Sequence, residues 1–300
     1  MKKLGWILGC ALLVGLLWYL FIKKDHYQIT FTTPESPGMV YHHLMDWPIY
    51  GKKDSISINL VSEERYQHIA QQVSVNDSLF LFEWSFERKN DSTTQVKAKI
   101  TDIEHPIKQK VQIPFSNNAF KKRAFKSVYD VAQELKNKSE NFKIGSVSDT
   151  LLPSTYCAYI PLKATTKTKA QVMLSNISFV IPTLKDDSIS LSGPPFLEVT
   201  HWNQANDSIY FNFCFPIPKK ESLPQSPYFS YKETAPKKGL KVVFNGNYRI
   251  SHNAWYALLD HAERNNRKVE SLPTEVFWND PHEGGESLRW KTDILLPLKK

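Results

Sequence analysis

Near the C-terminus the chain reads "LPTEVFWND", Leu272 to Asp280, and 77 positions earlier it reads "PFLEVTHWN", Pro195 to Asn203. A repeated segment constrains a fold more than any single motif, because both copies must take the same local structure and bury the same face. The similarity extends outward from each copy. The first passage runs "TYCAYIPL", a helical stretch from about Thr168 to Phe179, "PPFLEVTHWN" and "DSIYFNFCFPIP". The second runs "GLKVVFNGNYRI", "NAWYALLDHAERNN", "LPTEVFWND" and "LRWKTDILLPL". Apolar residues alternate in the first, third and fourth pieces and recur at helical spacing in the second, so each passage reads strand, helix, strand, strand. The segment "KKESLPQSPYFSYKETAPKKG" between them, rich in Pro, Lys and Ser, reads as a connector.

The chain begins quite differently. Leu4 to Ile22 carries no charge over 19 residues, which as a helix at about 1.5 Å per residue spans about 30 Å of hydrocarbon. Trp6, Trp18 and Tyr19 lie toward its ends, where interfacial aromatics sit. The expectation is a single transmembrane anchor over residues 1–25. The run exceeds a signal-peptide core and lacks a small-residue exit, and Cys10 in "ILGC" comes too early for a lipoprotein box. Lys2 and Lys3 on one side balance Lys23 and Lys24 on the other, so positive charge alone does not orient the segment. Asp-Ser or Asp-Thr followed by an apolar residue or Thr begins at Asp54, Asp77, Asp91, Asp149, Asp187 and Asp207. These triplets resemble O-glycosylation acceptors of exported bacterial proteins, and equally they open turns. On that basis the protein is expected in a bacterial inner membrane as a single-pass protein, with the periplasmic side favoured over the cytoplasmic.

A net charge of +8 arises from 38 basic and 30 acidic residues scattered in pairs. No helix-turn-helix, zinc-finger or RNA-binding signature accompanies it, which argues for a solvated surface and against nucleic acid as a partner. Of the three cysteines only Cys157 and Cys214 lie outside the anchor, so they alone have the opportunity to pair. No metal spacing, P-loop, nucleophile elbow or dinucleotide fingerprint is present, and no cofactor is expected. His42 and His43 are neighbours that point apart on a helix and have no third ligand at metal spacing.

From Tyr27 an alternating strand meets Pro34 and Pro37, a short helix follows over Met39 to Leu44, and then "DW". "ISINLVSEERYQHIAQQVSV", "SLFLFEWSFERK" and "TQVKAKITDIEH" read as successive strands, and "NAFKKRAFKSVYDVAQELKNKSENF" as a long helix with Phe120, Phe125, Val128, Val131, Ala132 and Leu135 on its packed face. This order resembles the START-like polyketide cyclase superfamily. The resemblance implies a helix-grip fold over 26–145, a curved antiparallel sheet around a long C-terminal helix with an apolar cavity, in a family whose members bind lipids, hormones or polyketides. The small, polar stretch "GSVSDTLLPS" marks a boundary.

The duplicated passages, through "NGNY" leading into "AWYALLDHAERNN", "EVFWNDP" and "KTDILLPL", resemble the gyrase-inhibitor-like effector-binding domain of AraC-type regulators. The resemblance implies a βαββ duplication over 151–300, with repeats at about 151–218 and 239–300 paired around a ligand cleft, and hence an α+β protein overall. It also implies aromatic lining from both halves: Tyr248, Trp255, Phe277, Trp278 and Trp290 from the second, with Tyr159, Phe196, Trp202 and Phe213 from the first. In related domains a glutamate in the final strand helps recognise cationic aromatic ligands, and Asp293 occupies the matching place, one methylene shorter. The equivalent position of the first repeat is Asn212. Glu275 and Glu198 match each other between repeats, which fits a structural role as well as ligand contact.

The expected function is therefore a membrane-anchored protein that holds an apolar or amphipathic small molecule, cations included, in one or both cavities. Two alternatives stand beside it. One is a hydrolase in which a cleft carboxylate acts on a small electrophile, and the other is an interaction protein with vestigial cavities.

Overall fold

A computed structural model describes residues 2–50, 56–75, 78–90, 93–115, 118–280 and 284–299. The chain divides into two compact units, Met1–Asn137 and Lys138–Lys300.

The first unit opens with helix α1 (Lys2–Leu17), which passes into a π-helical turn at Trp18–Ile22. Among the described residues no helix is long and apolar enough to cross a membrane. The α-helix proper has 16 residues, about 24 Å at about 1.5 Å per residue, against about 30 Å of hydrocarbon. The single-pass anchor expected from the sequence is therefore not supported. The π-helical turn is tied instead to helix α4 (Pro106–Gln112). The Tyr19 hydroxyl donates to the Lys110 carbonyl at 3.0 Å, and the buried Lys110 ammonium donates to the carbonyls of Leu20, at 3.0 Å, and Lys23.

Strand β1 (Tyr27–Thr33) is followed by α2 (Pro37–Met45) and α3 (Trp47–Tyr50). Ser36 stops the strand and starts α2: its hydroxyl accepts from Met39 N at 3.4 Å, and Pro37 follows with the fixed φ that suits a first helical turn. Strands β2 (Ile56–Glu64), β3 (His68–Val75), β4 (Ser78–Asn90) and β5 (Thr93–Asp102) complete an antiparallel sheet in the order β1-β5-β4-β3-β2. After α4, helix α5 (Ala119–Ser139) buries Phe120, Ala124, Val128, Val131 and Leu135. Phe120 lies 5.2 Å from Phe80, ring stacked on ring, and 5.3 Å from Tyr27. The sequence put Phe125 on this packed face. It is 47% exposed, because the spacing that fits is four, four, three and four from Phe120, which selects Ala124. His43 is buried on α2, and burial together with nearby Arg65 pulls His42 down to a pKa of about 3.

The second unit is built on the duplication. Its first repeat is β8 (Tyr156–Thr165), α6 (Lys169–Asp186), β9 (Phe196–Asn203) and β10 (Ser208–Pro216). The second is β12 (Lys237–Gly246), α7 (Asn253–Arg264), β13 (Thr274–Phe277) and β14 (Lys291–Pro297). All join one sheet, in which the six core strands run β8-β10-β9-β13-β14-β12. The second strands of the two repeats, β9 and β13, thus meet at the centre, Leu197 opposite Glu275 and Glu198 opposite Thr274. Each repeat alone would leave the outer edge of its second strand unpaired, and joining these two edges satisfies both.

Three local outcomes differ from the sequence reading. Helix α6 continues past Phe179 through Pro182 to Asp186, held by the buried Val180 and Leu184. The strand expected to run through "NGNYRI" ends at Gly246, and Tyr248–Ile250 form a 3-10 turn capped by Asn247, whose side chain accepts from Arg249 N at 3.0 Å. The connector is not wholly irregular: β11 (Ser230–Glu233) pairs with β8 at the sheet edge. The short strands β6 (Phe142–Ile144) and β7 (Ser148–Leu152) both pair with β12, so residues 142–152 belong to the second sheet. Of the six Asp triplets, Asp54, Asp77 and Asp91 lie outside the described residues. Asp207 sits in a turn at φ 54°, Asp187 ends α6, and Asp149 lies within β7.

Candidate functional site

Side chains alternate between the faces of a strand, and directly opposed residues share a face. The register therefore sorts the second sheet. Leu197, Phe213, Glu275, Phe277 and Ile294 fall on one face, and Phe196, Glu198, Asn212, Cys214, Val276 and Asp293 on the other. Helices α6 and α7 cover the first face, since Lys169 of α6 and Trp255 of α7 both bond Glu275.

That contact is a fully enclosed ion pair. The Lys169 ammonium donates to Glu275 Oε2 at 2.8 Å, to Ser251 Oγ at 2.6 Å and to the Tyr248 carbonyl at 3.2 Å, and it lies 5.6 Å from the Trp255 ring centre. Trp255 Nε1 donates to Glu275 Oε1 at 2.6 Å. Both charged side chains have zero exposure. Burial lowers the Lys169 pKa, and Glu275 opposes that shift. Lys169 comes from the first repeat, while Ser251, Trp255 and Glu275 come from the second. The network therefore ties the two repeats together.

Directly beside it lies a cleft of about 650 Å³. One wall is the aliphatic stripe of α6, Ala170, Met173, Leu174, Ile177 and Ile181, at the spacing of a single helix face. The other is aromatic, made by Tyr248, Phe277, Trp278 and Trp290, with Phe213 also contributing. Tyr248 is 4.9 Å from Phe277 and 5.7 Å from Trp290, ring centre to ring centre. Its hydroxyl is held in place, donating to the Asn279 carbonyl at 3.0 Å and accepting from Asn279 N at 3.1 Å. Burial raises the Tyr248 pKa to about 12, so the phenol stays neutral. Asn247, Arg249, Asn279 and Asp280 add polar groups to the lining.

The opposite face of the sheet carries a different chemistry. Glu198 pairs with Lys237 at 2.6 Å and with Lys232, and Asp293 pairs with Lys241 at 2.8 Å and Lys291 at 3.5 Å. Burial acts to raise the Glu198 pKa, but its two lysines override it and hold the group near 2. Cys157 and Cys214 are free, buried thiols in one cluster with Phe196, Tyr159 and Val276. A hydrogen bond with Cys214 lowers the Cys157 pKa, whereas burial raises that of Cys214. Among the described residues no group of three or more His, Cys, Asp or Glu is arranged to hold a metal ion.

Of the residues singled out in the sequence, Tyr248, Trp278, Trp290 and Phe213 come together in the cleft, as does Phe277. Glu275 and Trp255 lie behind it in the closed network, and Trp202 packs edge-on against Trp255 at 5.2 Å. Asp293, Asn212, Tyr159 and Phe196 are on the far face. Sequence reasoning missed Lys169, which sits in the lysine-rich "TTKTKA" and reads as surface. It also missed the α6 stripe. The available signal was that Leu174, Ile177 and Ile181 prolong an apolar face whose buried members are Ala170, Met173, Val180 and Leu184.

No protein-family model matches the chain, and none of the curated proteins does. Similar solved structures include the C-terminal domain of EcmrR, at 14% identity and a TM-score of 0.44, over 52% of this chain and 98% of that one. A hydrolase from Listeria innocua is similar at 11% identity and a TM-score of 0.35, over 56% and 98% of the two chains. SAV2435 bound to tetraphenylphosphonium is similar at 12% identity and a TM-score of 0.34, over 51% and 94%.

Proposed function

We propose that the second unit is a small-molecule-binding domain of the gyrase-inhibitor-like, effector-binding kind, and that it holds an apolar or amphipathic guest between α6 and the aromatic wall. The observation that carries this reading is the cleft itself: about 650 Å³, with its aliphatic wall from one repeat and most of its aromatic wall from the other. Small-molecule sites typically enclose about 300–1,000 Å³, mostly apolar, with a few polar groups to orient the guest. An open cleft also argues against a purely structural domain with a filled one. The hydrolase alternative asks for a free carboxylate in the cleft, yet Glu275 is enclosed by Lys169, Asp293 is on the other face of the sheet, and Asp280 of the lining is already engaged within the chain.

The START-like assignment of the first unit is part of the same proposal, supported by the order of strand, two helices, four strands, short helix and long terminal helix. So is membrane attachment through residues 4–22, with the two units on the periplasmic side of a bacterial inner membrane, supported by the uncharged sequence and by the exposure of Trp6 and Leu12.

The test of the cleft uses the whole purified chain and a neutral aromatic probe, 2-naphthylmethanol. Leu174 is 36% exposed on the α6 wall, so Leu174→Glu leaves the core intact while placing a charge in the cleft. Probe affinity should fall at least about tenfold with the melting temperature unchanged, because a guest would have to desolvate the new carboxylate. Undiminished binding in the variant, or none in the wild type, refutes the reading. Native mass spectrometry of the same preparation identifies any guest retained through purification.

A further inference from the structure

What charge a guest in this cleft carries is decided by which ionisable groups are still open to it. The carboxylates of the sheet are not. Glu275, directly behind the aromatic wall, is fully matched by the chain's own cation, Lys169. Glu198 and Asp293 are on the far face, each with two lysines. An aromatic ring face is the other usual partner of a guest cation. Here Lys291 already lies 4.9 Å from the centre of the Trp278 ring of the lining. Asp280 is the acid of the described lining, and it is already engaged within the chain.

Arg249 differs from all of these. It lines the cleft, it is exposed, and among the described residues its guanidinium has no ion pair. Its backbone is fixed by the Asn247 cap, Oδ1 accepting from Arg249 N at 3.0 Å, so the group is presented from a defined 3-10 turn beside Tyr248. A guanidinium is a planar fork of donors that fits a carboxylate bidentately and is desolvated more cheaply than an ammonium. Resting on the reading of the cleft as a small-molecule site, we propose that its guest is an amphipathic organic anion: an aromatic or aliphatic body between α6 and the aromatic wall, ending in a carboxylate to which Arg249 donates. A cation of the same shape would surrender its hydration and find each nearby acid among the described residues already matched or engaged.

Three probes with one ring system test this on the whole chain: 2-naphthoate, 2-naphthylmethanol and 2-naphthylmethylammonium, titrated by quenching of tryptophan fluorescence. The expected order of affinity is anion, neutral, cation. Arg249→Gln should weaken naphthoate about fivefold to tenfold, the scale of a partly exposed charge-assisted pair, and move the alcohol by less than about twofold. Arg249→Lys should keep part of the anion preference, and raising salt to about 0.5 M should shrink it. Since Arg249 is exposed, neither variant threatens the fold. Ammonium binding as tightly as naphthoate in the wild type, or an equal loss of all three probes in Arg249→Gln, overturns the proposal while leaving the cleft intact as a site. Failure of all three to bind the wild type overturns the cleft reading and this inference with it.

Discussion

Replacing Lys169 by Met removes one half of a charge pair that has no access to water, so the expected cost follows from what is left behind. In the wild type the Lys169 ammonium has three hydrogen-bond acceptors within 3.2 Å, and Glu275 receives bonds from Lys169, Ser251 and Trp255. The variant keeps the Ser251 and Trp255 donors but loses the counter-charge. Removing one partner from a buried pair costs about 3–5 kcal/mol, most of it the penalty for an uncompensated buried charge. The two surviving neutral donors favour the lower end, about 3 kcal/mol. The double variant Lys169→Met with Glu275→Gln removes both charges, and a neutral amide still accepts from Trp255. It should recover more than half of the loss, so the double variant should cost less than the sum of the two singles by at least about 1.5 kcal/mol. Urea unfolding of the four proteins, followed by near-ultraviolet circular dichroism, measures this, with the two units fitted as separate transitions. A Lys169→Met penalty below about 1 kcal/mol, or a double variant as weak as the sum of the singles, would refute the reasoning that this pair ties the repeats together.

Two further outcomes are expected. Glu198 is held near a pKa of 2 against an ordinary 4.5, and a depressed carboxylate contributes stability that is fully present above its unfolded pKa and lost as the pH falls through its folded one. The second unit should therefore lose up to about 3 kcal/mol between about pH 4.5 and pH 2, and Glu198→Gln should flatten that part of the profile; an unchanged slope would exclude Glu198 as its source. In the first unit, deletion of residues 1–17 should leave the Lys110 ammonium its acceptors at Leu20 and Lys23, whereas deletion of residues 1–24 removes both. The longer deletion should be less stable by about 1.5–3 kcal/mol, the scale of a lost charged hydrogen bond, and identical thermal melts for the two would count against that contact.

Much of the architecture was legible because it rests on local periodicity. The alternation of β5, with Val96, Ala98 and Ile100 inward, and the amphipathic face of α5 are visible within one element at a time. The βαββ duplication was legible for the same reason, since each copy carries its own pattern. The ends of elements were less so. The sequence reading ended the helix at about Phe179 and carried the strand on through "NGNYRI", yet α6 continues through Pro182 because Val180 and Leu184 pack on both sides of it, and β12 stops at Gly246 because Asn247 caps a turn.

The sequence by itself determined two strand-helix-strand-strand modules; that they pair around a cleft lined by aromatic residues of both was what their resemblance to a known family implied. Of the residues so named, Tyr248, Trp278, Trp290 and Phe213 line the cleft while Trp255 and Trp202 do not. Which face each residue takes was decided only by tertiary structure. Side chains alternate with a period of two, so one residue of register separates the cleft from the opposite side of the sheet. Asp293 and Ile294 are neighbours in β14, and the pairing of Val276 with Asp293 sends the acid to the far face and the isoleucine to the helical one. No pattern within "KTDILLPL" fixes that choice, because it depends on strands elsewhere in the sequence. The same holds for the pairing of Lys169 with Glu275: the two are 106 positions apart, and Lys169 is unremarkable in its own neighbourhood. Folding carries both out of water together, and a charge buried there must find its opposite. Chain separation does not enter that requirement, which is why the pair was invisible in the sequence and central in the structure.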